Sequence, residues 1–299
     1  MAETWDLEGL KPHVSGVERL RALAKLGANL IDADSTGTLL PQNIAQELKL
    51  AMELQRSLQP GWEPDELPIW GVNLPARQMS GDFFDFYRTE EGDYAFSLGD
   101  VSGKGMGAAL LMAKSISVFR CLSKRISDAA ELLIAINTEL CETASRGLFV
   151  TMVVGRYSPQ NGIVRFANAG HEPPLMRRKD RTYRTFPASA PPLGILSAYT
   201  VSGEEIDLAG GEFYIFTDGL TEYRYAGGEQ LGVEGLIQLV EINAAEPPAK
   251  RVETVIEMLD EEAGWDAHDD LTVLAIDDSW VRHSKSSGAI QPSAMKAAG

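Results

Sequence analysis

The residue types that could do chemistry here are aspartates. Asp82 and Asp85 lie in MSGDFFDF, Asp100 follows YAFSLG, Asp218 follows FYIFT, and Asp269-Asp270 precede LTVLAI. Each stands where an apolar, strand-like run begins or ends, so a fold that gathers those ends crowds the carboxylates together. Such a crowd repels itself in a poorly polarisable setting. Hard divalent cations relieve the repulsion, and Mg2+ and Mn2+ accept carboxylate, carbonyl and water ligands. A carboxylate shared by two ions holds them about 4 Å apart and acidifies a water between them, giving a nucleophile for in-line attack on phosphorus. A plainer account stays open, because an Asp-Gly at a strand end is commonly just a turn and Asp269-Asp270 can be a solvated pair.

Asp100 opens the loop GDVSGKGMG (99–107), which superficially resembles a phosphate cradle. The P-loop spacing fails, since Gly99 is too close to Gly103 and Lys104 is followed by Gly105. The dinucleotide fingerprint fails too, because Gly103, Gly105 and Gly107 are spaced two and two. What remains is an acid at the mouth of a loop whose glycines let the backbone approach something closely. There is no Cys-centred phosphatase loop and no Gly-x-Ser-x-Gly elbow, so metal-bound water is the better candidate nucleophile.

The elements that must position these acids follow from the side-chain period. Residues 1–60 read as helical: Ser15 and Glu18 have capping-box spacing ahead of Leu20, Leu23, Leu26 and Leu30. Pro41 can start a second helix, with Ile44, Leu48, Ala51 and Leu58 in a stripe that Gln55 interrupts. That stripe suits packing on its own domain, a second chain or a partner helix alike. From Leu67 the period becomes that of strands: PIWGVNLPA, FFDFYR and YAFSLGD. Helices are expected over 107–122 and 128–142, a hairpin over 148–170 turning at Asn161-Gly162, and a strand over 212–219. Helices at 232–242 and 249–262 and a strand at 271–276 complete the pattern. The order does not alternate as βαβ units do, so the fold class is α+β, with antiparallel sheets packed on helices.

Composition narrows the function. The 44% apolar and 23% charged residues are those of an ordinary globular protein. A net charge of −16 argues against a nucleic-acid partner, which needs clustered Lys and Arg. No run of roughly eighteen apolar residues exists to span a membrane, and MAETWDLEGLKPH is no signal peptide. The expected location is therefore cytoplasmic, with Cys121 and Cys141 as reduced core thiols.

The motifs SGDFFDF, SLGDVSGKGMGAALLMA, FVTMVVGRY, RFANAGHEPPL, PPLGI, YIFTDGLTE and HDDLTVLAI occur in this order over about residues 67–277. The ordered set resembles the SpoIIE/RsbU-type phosphatases, the bacterial branch of the metal-dependent PPM (type 2C) serine/threonine phosphatases. The resemblance implies an α-β-β-α sandwich of two sheets flanked by helices, with two Mn2+ or Mg2+ ions at one edge. It implies a phosphoserine or phosphothreonine protein substrate, typically an anti-anti-sigma factor (STAS domain) in a partner-switching pathway. By the same likeness Asp100 bridges both ions and the Val101 carbonyl binds one. Asp82 serves the second ion with Asp85 as support, and Asp218 and Asp269 complete the first, with Asp270 as the alternative ligand. The resemblance also implies Asp100 and Asp218 as the catalytic residues.

Two departures stand out. Ser80 and Phe84 replace the usual Gly and Tyr, with little effect expected. Ser102 stands where eukaryotic relatives place a His proposed as leaving-group acid, which leaves that role unassigned. His171 reads as a structural loop residue, and Arg77 as a phosphate contact or a solvated side chain. The expected organisation is a helical regulatory or dimerisation segment (1–60), the phosphatase domain (61–279) and a flexible tail (280–299), with an activator protein or a homodimer at the N-terminal helices. A non-hydrolysing phosphoprotein binder and a small-molecule phosphatase are the alternative classes.

Overall fold

The run YAFSLGDV is apolar enough that a strand made from it must be covered on both faces. That strand, β3 (Tyr94–Val101), is buried at nearly every position in the computed structural model of the chain. The structure describes residues 42–60, 67–76, 78–143, 147–225, 228–244, 246, 248–263 and 269–279. The expected first helix with Ser15, the residue Arg77 and the tail 280–299 lie outside the described residues.

Two five-stranded antiparallel sheets form. The first has the order β1 (Ile69–Leu74), β10 (Leu271–Asp277), β9 (Glu212–Phe216), β6 (Leu175–Arg177), β7 (Tyr183–Thr185). The second has the order β2 (Phe83–Arg88), β3, β4 (Val150–Ser158), β5 (Ile163–Ala169), β8 (Gly203–Asp207). Their facing sides interdigitate through Phe84, Phe96, Leu98, Phe166, Phe213 and Leu274. Each such side chain contributes about 1.5–3 kcal/mol by leaving water.

The outer face of the second sheet packs against α2 (Met106–Leu122) and α3 (Ala129–Thr143), through Met112, Phe119 and Ile136. The outer face of the first packs against the short α4 (Asp218–Thr221), α5 (Gly232–Ile242) and α6 (Pro248–Ala263), through Leu220, Leu236 and Ile256. The result is the expected α-β-β-α layering. The sequence pattern missed β6, β7 and β8: the first two are three residues long, and GEEID of β8 exposes most of its side chains.

The helix α1 (Gln42–Ser57) seats itself by most of the expected stripe, with Leu48, Ala51 and Leu58 partly buried. Ile44 is exposed, whereas Met52 and Gln55 are buried and Leu58 packs against the second-sheet core. Gln55, which breaks the apolar pattern, is the anchor: its Nε2 donates to the Ser80 carbonyl at 2.8 Å, and its Oε1 accepts the Ser80 N–H at 3.1 Å. Cys121 is exposed rather than in the core, and Cys141 is half-buried.

Candidate active site

Strand ends deliver the acids. Asp82 immediately precedes β2 and Asp100 is the last residue but one of β3, both in the second sheet. Asp218 follows β9, and Asp269 and Asp270 precede β10, both in the first. Because β2–β3 and β9–β10 are antiparallel neighbours, these ends reach one edge of the sandwich.

Asp82 is buried, and its Oδ2 accepts from the Thr217 and Thr272 hydroxyls of the opposite sheet at 2.7 and 2.8 Å. Burial, then the charges of Asp100 and Asp270, push its proton affinity well above the usual carboxylate range. Asp100 is hydrogen-bonded to Asp82, and burial is the main reason its pKa is pushed up to about 7, with Asp218, Asp269 and Asp270 adding repulsion. Asp218 is raised by burial, then by Asp269 and Glu222, while Lys104 opposes. The separate sequence positions therefore meet in one electrostatic unit. Glu172, unmarked by any sequence signal, joins it: burial, then Asp218 and Glu222, raise its pKa.

The adjacent pair divides. Asp270 turns into the protein, where Oδ1 accepts the Ala76 N–H at 2.8 Å and Oδ2 accepts the Ser80 hydroxyl and the Gly81 N–H at 2.8 and 2.9 Å. Asp269 is half-exposed and meets Lys104 Nζ at 3.1 Å. The serine at position 80 is thus not a neutral departure. Its hydroxyl donates to Asp270 and accepts the Asp82 N–H at 3.0 Å.

Glycine is obligatory at one point and closely fitted at another. A Cβ on Gly219 would lie 1.9 Å from the Asp270 carbonyl oxygen, so the chain after Asp218 passes too close for any side chain. A Cβ on Gly81 would stand 3.1 Å from the Val101 carbonyl oxygen and 3.4 Å from Asp100 Oδ1, filling space beside both expected ligands.

One expectation changes. Asp85 does not support the site: it is fully buried against α2, where Arg120 binds both its oxygens, Nε to Oδ2 at 2.6 Å. Strand alternation decides this, since Asp85 projects onto the helix-covered face. Ser102 fastens its loop, its Oγ accepting the Phe149 N–H at 2.8 Å. His171 is buried and engaged at both ring nitrogens, as a structural residue should be.

The donor set fits hard divalent cations: carboxylates, one backbone carbonyl and a cleared space beside them. Among the described residues no group of three acidic, histidine or cysteine side chains closes on a common point. Asp82 leans on its threonines and Asp269 on Lys104, and those contacts compete with a shared ion.

Comparison with known proteins points the same way. The family described as Stage II sporulation protein E (SpoIIE) matches residues 90–278, more than half of the chain. Phosphoserine phosphatase RsbU of Bacillus subtilis (strain 168) is 28% identical over 241 residues, covering 79% of this chain and 71% of RsbU. Phosphoserine phosphatase RsbP of the same organism is 22% identical, and the chain spans 46% of its length. Among solved structures, the SiaA-PP2C domain of Pseudomonas aeruginosa superposes with a TM-score of 0.70 at 18% identity, covering 79% of this chain and 97% of that one. The RsbU and RsbW domains of Rv1364c from Mycobacterium tuberculosis give 0.59 at 26% identity, covering 70% of this chain and 59% of that one.

Proposed function

The chain belongs to the SpoIIE family, a branch of the PPM protein phosphatases, and on that premise we propose that it hydrolyses phosphoserine or phosphothreonine on a regulatory protein with the help of two divalent ions. The observation that carries this reading is the meeting of Asp82 and Asp100 from one sheet with Asp218 and Asp269 from the other. Bound Mn2+ or Mg2+ supplies an acidified water and neutralises charge on the phosphoryl oxygens.

In this reading Asp82, Asp100, Asp218, Asp269 and the Val101 carbonyl would hold the two ions, with Asp100 as the shared ligand. Asp270 is not a ligand; it ties the loop 76–82 to β10. Thr217 and Thr272 orient Asp82 from behind, as ligands of a metal are commonly oriented by outer partners. Lys104, paired with Asp269 here, would be the nearby cation available to a phosphate oxygen.

The substrate class follows from the relatives' names, two of which are phosphoserine phosphatases. A STAS-domain anti-anti-sigma factor in a partner-switching pathway suits this family best, in the cytoplasm. No helix among the described residues is long and apolar enough to cross a membrane. The expected result is p-nitrophenyl phosphate hydrolysis that needs Mn2+ or Mg2+ and stops with EDTA, together with release of phosphate from a serine-phosphorylated STAS protein. Metal-independent turnover, or none with either substrate, would sink the reading.

The N-terminal segment is a regulator in the same proposal, as a dimerisation or activator-docking element ahead of the domain. Support comes from α1, whose Gln55 grips Ser80, the residue that in turn holds Asp270 and the Asp82 backbone. Movement of α1 is thereby felt at the acids. Gln55→Leu leaves the Ser80 amide and carbonyl buried without partners, a cost of about 1–3 kcal/mol. The expected outcome is a rise of several-fold in the Mn2+ concentration for half-maximal activity. Unchanged metal demand would reduce α1 to a passive cover.

A further inference from the structure

His171 follows β5 in the run NAGHEPP and is only 5% exposed. Asn168 fixes its backbone: Oδ1 accepts the His171 N–H at 2.9 Å, and Nδ2 donates to the His171 carbonyl at 3.1 Å. The ring then reaches in two directions. Nδ1 meets Thr151 Oγ1 at 2.8 Å, and Nε2 meets the Phe216 carbonyl at 3.1 Å. A carbonyl only accepts, so the network assigns the proton to Nε2 and makes Nδ1 the acceptor of the Thr151 hydroxyl. Burial pulls the ring's pKa down to about 4, which keeps it in this neutral form at neutral pH.

The two ends of this bridge lie beside the acids. Thr151 is paired with Asp100 in the β3–β4 register. Phe216 ends β9, directly before the Thr217-Asp218 pair. One rigid ring therefore runs from the second sheet to the first, linking the strand next to Asp100 to the strand that delivers Asp218. Elsewhere along the same edge, Asp82 and its two threonines join the sheets.

We propose that His171 is a positioning residue, whose bridge from Thr151 to Phe216 sets the separation at which Asp100 and Asp218 can share a divalent ion. It is not the leaving-group acid, because both nitrogens are engaged in the interior. Metal affinity depends on ligand spacing to a few tenths of an ångström, so an element that fixes two sheets against each other fixes affinity. The inference rests on the two-ion reading above.

The test uses the full chain and two variants. His171→Phe keeps a flat ring and removes both hydrogen bonds, and Thr151→Val removes only the hydroxyl. Mn2+ binding is followed by calorimetry, beside kcat and KM for p-nitrophenyl phosphate. In His171→Phe the Mn2+ Kd is expected to rise about 10-fold or more, as for other outer partners of metal ligands. KM stays within about twofold at saturating Mn2+, since the ring touches no substrate. Thr151→Val shifts the Kd in the same direction by less, and carries the test if His171→Phe does not fold. Variants that melt lower but bind Mn2+ like the parent would overturn the inference and leave a purely structural histidine. A parent chain that binds no Mn2+ would overturn the two-ion reading, and this inference with it.

Discussion

Asp100→Asn is expected to abolish metal-dependent hydrolysis while making the metal-free protein more stable. The loss of activity should exceed 100-fold, because even an outer partner of a metal ligand is worth about 10–100-fold and this residue is the proposed shared ligand. The gain in stability follows from linkage. Burial and neighbouring acids raise Asp100 from 3.8 to about 7 on folding. Between those values the folded chain keeps a proton that the unfolded chain releases, so the contribution is intact below about pH 4 and is lost as pH rises through about 7. Asparagine carries no such titration. After allowance for partial exposure, the relief at pH 7.5 is on the order of 2 kcal/mol, or ~4–8 °C in Tm. The check is thermal unfolding of both proteins in EDTA at pH 5 and pH 7.5, then with Mn2+. The variant should melt higher at pH 7.5, show a smaller advantage at pH 5, and lose it when Mn2+ stabilises only the parent. An Asp100→Asn protein no more stable at pH 7.5 would show that Asp100 carries no penalty from its burial beside the other acids, removing the main argument for cations.

The acids themselves were legible in the sequence because each borders an apolar strand, and strands in antiparallel order bring their ends to shared edges. The layered fold was legible for the same reason: the period of the side chains changes cleanly at Leu67 and again at the helices. The partners of the acids were not. Thr272 reaches Asp82 across 190 residues, and Ser80 reaches Asp270 across the same separation. No local pattern encodes a hydroxyl meeting a carboxylate from another sheet. Asp85 shows the converse. Its spacing from Asp82 looked like part of one motif, yet three positions along an extended chain turn a side chain to the other face, and Arg120 was waiting there. Gln55 was misread for a related reason. A polar residue in an apolar stripe looks like an interruption until the buried backbone it satisfies is known.

These contacts also account for the architecture of the site. Each sheet supplies acids that repel those of the other, so the edge would open without neutral ties. Asp82 with Thr217 and Thr272 is one tie, and Asp270 with Ser80 and Gly81 is another. A carboxylate spent on such a tie has fewer lone pairs for a metal. Asp270, with three donors on its two oxygens, is spent, whereas Asp269 is exposed, with the Asp270 N–H on Oδ1 and Lys104 on Oδ2.

Substitution should therefore separate the two neighbours. Asp269→Asn is expected to lose metal-dependent activity by more than about 100-fold with Tm within a degree or two of the parent. An exposed pair such as Lys104–Asp269 contributes only about 0–1 kcal/mol. Asp270→Ala should do the opposite first: it strands the Ala76 and Gly81 amides and takes the carboxylate from the Ser80 hydroxyl, costing on the order of 3 kcal/mol and lowering Tm by ~6–12 °C. Its activity falls because the loop carrying Asp82 loosens, so part of it should return at high Mn2+, which favours the ordered loop by mass action. No excess of metal restores Asp269→Asn, since the ligand itself is gone. The measurement is a Mn2+ titration of activity for each variant beside its melting curve. If Asp270→Ala melts like the parent and resists rescue while Asp269→Asn recovers, the ligand assignment passes to Asp270 and the tie between the loop and β10 is not what holds the site together.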